Sequence, residues 1–343
     1  MRKLRNTLYI TSPEAYLSRD GDNIVVKIGN KEVARRPVHI LENIVCFNYT
    51  GMNGALLRLC AEHNVGVSLM DARGRFCGRF QGEVNGNVLL RRRQYRVADA
   101  ADGALAIAKN IILGKIANSR KTLGRSLRDH SDKVNTQEVE EAIALLTDSI
   151  ERVKEAPNAD LLRGLEGQAA KIYFSVLNNL ILQQREDFSF DKRSKRPPLD
   201  PFNAMLSYVY TLLTIDCQNA LETVGLDPYV GFFHTDRPGR AGLALDIMEE
   251  FRSYLGDRFV LSLINRRQIT AADFQQKESG AVLLEDDGKK TLLGAWQKRK
   301  QDVIEHPFLK EKVEAGLLPY VQAMLLSSFL RGDIEEYPPF FVR

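Results

Sequence analysis

The sequence predicts an α+β protein, with a small β-rich N-terminal domain followed by a larger, mostly α-helical C-terminal domain that carries a short β-hairpin insertion. Three observations predict this class. From Leu8 to about Gln81, short β-branched or aromatic runs alternate with turn signals. After the Arg91 to Arg96 cluster, apolar residues such as Ala104, Ile107, Ile111 and Ile112 recur at three- and four-residue steps, the period of a helix. The length, 343 residues, exceeds what a single hydrophobic core usually fills, so two domains are expected, residues 1–87 and 88–343.

In the first domain, Leu8-Tyr9-Ile10 reads as a strand, Arg19 to Asn23 as a turn, Ile24 to Ile28 as a second strand and Gly29-Asn30 as the next turn. Gly54 to Glu62 reads as a helix interrupting the sheet pattern. Val67 to Met70 and Phe76 to Phe80 read as strands about a turn at Asp71-Ala72-Arg73-Gly74-Arg75. In the second domain, helical periodicity covers roughly 88–130, 136–154, 159–185, 200–220, 242–255 and 312–330. Asp200 is a natural N-cap and Pro201 a natural first helical residue. The stretch before them, Arg185 to Asp200, reads as an exposed, mobile loop. Gly280 to Leu284 and Thr291 to Leu293 flank Asp286-Asp287-Gly288, a turn signal that predicts the hairpin.

Hydrophobic content of 44% and charged content of 27% are globular values and exclude a disordered or fibrous chain. Cys46, Cys60, Cys77 and Cys217 form no CxxC pair and have no histidine at zinc-finger spacing, which fits a reducing cytoplasm. The charged N-terminus is followed by no secretory apolar stretch, and no run reaches membrane-spanning length. A net charge of +4 says little. Its distribution says more: Arg91, Arg92, Arg93 and Arg96 cluster, as do Arg120, Lys121, Arg125 and Arg128, then Lys192, Arg193, Lys195 and Arg196, then Lys298, Arg299 and Lys300. Any one cluster is ordinarily a solvated face, but four together point to a phosphate backbone. No phosphate-binding loop, dinucleotide fingerprint or nucleophile elbow is present, which argues against nucleotide-dependent and acyl-transfer chemistry.

The residues best suited to chemistry lie in three segments. Glu166 borders the apolar side of a helix containing Leu165, Ala169, Ile172, Val176 and Leu180, and Gly164 and Gly167 beside it suggest that something approaches closely. Asp246, Glu249 and Glu250 stand at i, i+3 and i+4, so a helix puts three like charges on one face, where a divalent cation would relieve their repulsion. His234, after Gly231-Phe232-Phe233 in a glycine- and proline-containing loop, is placed to project into a cleft. One nitrogen and carboxylate oxygens suit Mg2+ or Mn2+ and phosphodiester chemistry. His39, His63, His130 and His306 lack such acidic company and read as structural or surface residues.

These motifs resemble those of the CRISPR-associated integrases, the catalytic subunits of the spacer-acquisition complex. The resemblance covers nearly the whole chain. It rests on Gly164-Leu165-Glu166-Gly167 with Tyr173-Phe174, on Asp200-Pro201-Phe202-Asn203-Ala204-Met205-Leu206-Ser207-Tyr208-Val209-Tyr210, and on Gly231-Phe232-Phe233-His234 followed by Leu245-Asp246-Ile247-Met248-Glu249-Glu250-Phe251-Arg252. It implies a homodimerising N-terminal domain, a helical domain that binds Mg2+ or Mn2+, double-stranded DNA as substrate, and a small companion protein that bridges two dimers. Carried over motif by motif, it implies Glu166, His234 and Glu249 as metal ligands and catalytic residues and Asp246 as a supporting carboxylate. Glu250 competes with Glu249 for the third ligand position, and His234 is left as ligand or base. Tyr173, Lys192, Arg193, Lys195, Arg196, Arg252, Lys298 and Arg299 are the candidate nucleic-acid contacts.

The implied activity is metal-dependent DNA endonuclease and integrase chemistry, in which a 3′ hydroxyl attacks a phosphodiester at the edge of a CRISPR repeat. Two other classes fit parts of the pattern. A non-catalytic nucleic-acid-binding scaffold would need the basic clusters and no metal, and a hydrolase of small phosphoesters would need the ligands and no basic clusters.

Overall fold

The computed structural model describes residues 3–47, 50–71, 74–83 and 88–342. Met1 and Arg2, the central Ala72 and Arg73 of the expected turn, and residue 87 at the expected domain boundary lie outside the described residues. The chain divides into two compact units, Met1–Asn85 with Asp286–Gln301, and Gly86–Glu285 with Asp302–Arg343.

The first unit contains β1 (Asn6–Ile10), β2 (Ala15–Asp20), β3 (Asn23–Ile28), β4 (Lys31–Pro37), β5 (Leu41–Phe47), β6 (Gly51–Met52), α1 (Gly54–Glu62), β7 (Gly66–Met70) and β8 (Phe76–Phe80). They form two four-stranded sheets, ordered β1-β5-β7-β8 and β4-β3-β2-β6. In the first, β5 runs parallel to β1 and β7, and β8 is antiparallel to β7. In the second, β3 is antiparallel to β2 and β4, and β6 is parallel to β2. Alternation sets the faces: Ala15 and Leu17 of β2 join a core with Ile24, Ile44, Leu56 and Leu59, while Tyr16 between them is exposed. α1 spans the expected residues because the Asn53 side chain caps it, accepting from the Leu56 amide at 2.9 Å.

The second unit begins with α2 (Val88–Asp99), α3 (Ala101–His130), α4 (Thr136–Lys154), α5 (Ala159–Ser175) and α6 (Pro201–Thr223). The expected continuous helix over 88–130 is broken at Ala100, whose backbone is extended. Gly103 permits the tight return, since a Cβ there would lie 3.2 Å from Val97 Cγ1. Helix 159–185 stops at Ser175, because the chain beyond is held by side chains instead: Asn265 Oδ1 accepts from the Leu182 amide at 2.8 Å, and Asn178 Oδ1 from the Phe190 amide at 2.9 Å. α6 starts where the sequence places it, with Asp200 Oδ1 accepting from the Asn203 amide at 2.7 Å and Pro201 in the first turn.

Next come α7 (Gly242–Glu249), a π-type turn over Arg252–Asp257, and α8 (Arg258–Asn265). The hairpin exists, but its strands are β9 (Phe274–Gln276) and β10 (Val282–Leu284), closed by a turn in which the Gly280 amide donates to the Lys277 carbonyl. Asp286-Asp287-Gly288 opens α9 (Asp286–Lys300) rather than turning a hairpin. The two carboxylates sit where a helix N-terminus favours negative charge, and Lys289 and Lys290 pair with them at i+3. Leu292, Leu293 and Trp296 then face inward at helical spacing, and α9 belongs to the first unit. β11 (Val303–Glu305) pairs with β12 (Lys312–Glu314), so the helix expected from 312 begins only at Leu318, as α10 (Leu318–Arg331), with Pro319 in its first turn. No helix among the described residues is long and apolar enough to cross a membrane.

Candidate metal centre

Glu166 on α5 and Glu249 at the end of α7 converge on one ammonium. Lys115 of α3 forms an ion pair with Glu166 and lies 2.8 Å from Glu249 Oε2. Arg252 holds the same glutamate from the other side, with Nη1 at 2.7 Å from Oε1 and 3.0 Å from Oε2, and its guanidinium lies 4.4 Å from the centre of the Tyr210 ring. Burial favours the neutral form of Glu249, but the charges of Arg252 and Lys115, the Lys115 hydrogen bond and the nearby His234 outweigh it and hold the carboxyl below the usual carboxylate range.

His234 lies near Glu249 and is held in place by Asp246. The fully buried Asp246 carboxylate accepts from the amides of Phe232 (2.7 Å), Phe233 (3.0 Å) and His234 (3.0 Å), and its Oδ1 lies 2.6 Å from His234 Nδ1. One carboxylate therefore fixes both the loop and the imidazole. With Nδ1 carrying the proton towards Asp246, Nε2 keeps a free lone pair. The loop comes this close because Gly231 has no side chain: a Cβ there would stand 2.7 Å from Asp246 Oδ2. A second clamp acts on the same loop from α2, where buried Gln94 donates to the carbonyls of Asp227 and Val230 and accepts from the Asp227 amide.

The sequence puts Asp246, Glu249 and Glu250 on one helical face, but their side chains go three ways. Glu250 is fully buried and bonded to Tyr337, the Gln322 amide and the Phe340 backbone amide. Burial pushes its carboxyl up to about 8.

The donor set fits a hard divalent cation in kind: two carboxylates already share one positive charge, beside a ring nitrogen oriented by a third carboxylate. Among the described residues no three His, Cys, Asp or Glu side chains close around a single point as a metal cage, and Lys115 stands where Glu166 and Glu249 meet.

Of the expected nucleic-acid contacts, Lys192, Lys195 and Arg196 are exposed in the second unit. Arg193 does not extend from a free loop. It is pinned to α6 by Asn203 Oδ1 at 2.6 Å and Ser207 Oγ at 3.0 Å. Tyr173 is buried, its hydroxyl donating to Asp257 Oδ2 at 3.0 Å, and the Tyr210 hydroxyl donates to the other oxygen of Asp257. Lys298 is exposed and Arg299 half-buried, both on α9 of the first unit. Arg91 donates to the Gly225 carbonyl at 3.2 Å. A Cβ added at Gly164 or Gly167 would meet nothing within 4 Å, so the two glycines leave bare helix surface next to Glu166.

Sequence reasoning missed Lys115 and Asp257. The signal for Lys115 was a single cation among Ile111, Ile112 and Ile116 on the inward side of a long helix. Asp257, in Tyr254-Leu255-Gly256-Asp257, is likewise a charge in an apolar run.

A family model described as CRISPR associated protein Cas1 matches residues 8–298. The chain is 50% identical, over all of both chains, to CRISPR-associated endonuclease Cas1 1 of Chlorobaculum tepidum. It is 49% identical to CRISPR-associated endonuclease Cas1 2 of Rhodospirillum rubrum, with 99% of each chain covered. A solved structure described as a Cas6-RT-Cas1--Cas2 complex matches with a TM-score of 0.83 at 25% identity, over 99% of this chain and 36% of that one.

Proposed function

The chain belongs to the CRISPR associated protein Cas1 family, and from that premise we propose that it is a divalent-metal-dependent DNA endonuclease and integrase of spacer acquisition. The observation that carries this reading is the convergence of Glu166 and Glu249 on one cation beside an imidazole fixed by Asp246. Glu166, Glu249 and His234 Nε2 would hold Mg2+ or Mn2+. When bound, the ion supplies Lewis-acid polarisation of a phosphate and stabilisation of charge on the attacking and leaving oxygens.

The substrate is double-stranded DNA in the cytoplasm. The 3′ oxygen of the incoming spacer bonds to phosphorus at the repeat edge as the P–O bond to the neighbouring 3′ oxygen breaks. The attacking hydroxyl gives up its proton, and the leaving oxygen takes one up in exchange and becomes a new 3′ hydroxyl. One ester replaces another, so the reaction needs no nucleoside triphosphate. Water in place of the hydroxyl gives endonuclease cleavage.

Arg252 neutralises Glu249, and Asp246 holds the imidazole in the tautomer that leaves Nε2 free. The exposed Lys192, Lys195 and Arg196 bind phosphates, and the bare surface at Gly164 and Gly167 admits the duplex backbone to Glu166. Homodimerisation through the first unit and a small companion protein complete the assembly. The companion is supported by the Cas6-RT-Cas1--Cas2 complex that the fold resembles.

The test is strand transfer of a short duplex into a repeat-containing plasmid with Mn2+. Glu166→Ala and His234→Ala abolish the product, EDTA abolishes it in the parental protein, and duplex binding persists in both variants. Product formation that survives EDTA or either substitution refutes the reading.

A further inference from the structure

Lys115 belongs to none of the three motifs, yet its ammonium is the cation on which Glu166 and Glu249 meet. It interrupts the inward apolar stripe of α3 formed by Ile107, Ile111, Ile112 and Ile116, a place where a cation persists only if carboxylates compensate its lost hydration. The same side chain, with Tyr173, Tyr210 and Arg252, lines a mostly apolar recess.

Resting on the metal-binding reading above, we propose that Lys115 is a resident counter-ion, a positioning residue that competes with the divalent ion for Glu166 and Glu249. Without it the two carboxylates face each other with only Arg252 on one of them, and their repulsion spreads the site. With it they stay converged and the site is preformed. Metal binding then requires the ammonium to leave, which lowers apparent metal affinity by the fraction of molecules in which it has not left. A DNA phosphate arriving at the site offers the displaced ammonium a new anionic partner. Duplex binding and metal binding therefore reinforce each other, and each raises affinity for the other by the same factor. The arrangement makes metal binding weaker in the absence of DNA than in its presence.

The experiment titrates Mn2+ into the full-length protein without DNA and reads free Mn2+ by electron paramagnetic resonance, for the parental chain and for Lys115→Met, Lys115→Gln, Lys115→Arg and His234→Ala. Removal of the competing charge in Lys115→Met and Lys115→Gln tightens Mn2+ binding by roughly tenfold, the size of coupling expected between contacting charged groups. Lys115→Arg, which keeps a cation, does not tighten it, and His234→Ala weakens it. Affinity unchanged or weaker in both neutral variants, while His234→Ala still weakens binding, overturns the proposal and leaves the metal reading standing. Mn2+ binding indifferent to His234→Ala removes the metal reading and the proposal with it. If both neutral variants are unfolded by circular dichroism even at saturating Mn2+, the ammonium is a structural requirement rather than a displaceable competitor, and the proposal also fails.

Discussion

Glu249 and Glu250 are consecutive residues of the same type, and they belong to opposite kinds of region. Glu249 faces Lys115 and Arg252, and those positive charges keep it ionised. Glu250 points the other way, into Tyr337, Gln322 and Phe340, and burial pushes its carboxyl up to about 8. The first region gathers charge that a substrate or ion can use. The second ties the C-terminal segment to α7, aided by buried Asn118, which donates to the carbonyls of Glu250 and Phe340. Successive residues of a helix point about 100° apart, so one step along the chain moves a carboxylate from a site into a core. What each glutamate does is set by its surroundings and not by its identity.

The largest effect that could break this comparison comes from exchanging each glutamate for its neutral isostere. Glu249→Gln removes a charge that Lys115 and Arg252 both hold. Since loss of a residue that merely orients a ligand costs about 10- to 100-fold, loss of a ligand costs strand transfer more than about 100-fold. Glu250→Gln changes little, because an amide can reproduce the protonated acid: its oxygen accepts from Gln322 and Phe340, and its NH2 donates to the Tyr337 oxygen. Expected values are parental strand transfer and a stability change within about 1 kcal/mol by chemical denaturation. The reverse outcome, Glu250→Gln inactive and Glu249→Gln active, would make Glu250 the ligand.

That distinction shows how far the sequence could be read. Helix starts were legible wherever a local chemical signal governed them, as at Asp200-Pro201 for α6, and local patterns also singled out Glu166, His234 and the acidic turn, which the structure draws to Lys115 and Asp246. Directions of side chains were not. Periodicity assigned Asp246, Glu249 and Glu250 to one face, but what each touches depends on partners 12 to 134 residues away in the chain: His234, Lys115 and Gln322 with the C-terminal segment. Asp286-Asp287-Gly288 failed for a related reason. The same three residues satisfy a hairpin turn or an acidic helix N-terminus, and the burial of Leu292, Leu293 and Trp296 in the first unit decides for the helix.

A second, smaller effect sharpens the comparison from the histidine side. Asp246→Asn keeps the shape but replaces one acceptor oxygen with an NH2. The amide cannot serve three backbone donors and the Nδ1 proton at once, so His234 loses its fixed tautomer. Strand transfer falls about 10- to 100-fold, less than for Glu249→Gln. Raising Mn2+ recovers part of the loss, because the ligand is misoriented and not removed. A loss that no Mn2+ concentration reduces would give Asp246 a direct catalytic role in place of a supporting one.

The smallest effect tests the second region by pH. His306 is buried beside Gln322, with Nε2 3.2 Å from its side-chain oxygen and Nδ1 accepting from the Leu309 amide. Burial lowers its pKa below the ordinary 6.5, although the Gln322 hydrogen bond pulls the other way. As pH falls through 6.5, the unfolded chain takes up a proton that the folded chain refuses. The stability held above that pH is therefore lost as acidity increases towards the folded value. One proton sets a slope of at most about 1.4 kcal/mol per pH unit, beginning near the unfolded pKa. Glu250, whose carboxyl burial pushes up to about 8, contributes the opposite sign over this range, so the comparison is made in a Glu250→Gln background, where adding His306→Gln removes the histidine proton and flattens the difference in denaturant midpoint between pH 7.5 and 5.5. Because His306 meets the Glu250 network through Gln322 and Phe340 and has no bond to Glu166 or Glu249, the variant leaves strand transfer at pH 7.5 unchanged. A midpoint difference that persists when His306→Gln is added would place the acid sensitivity on another group.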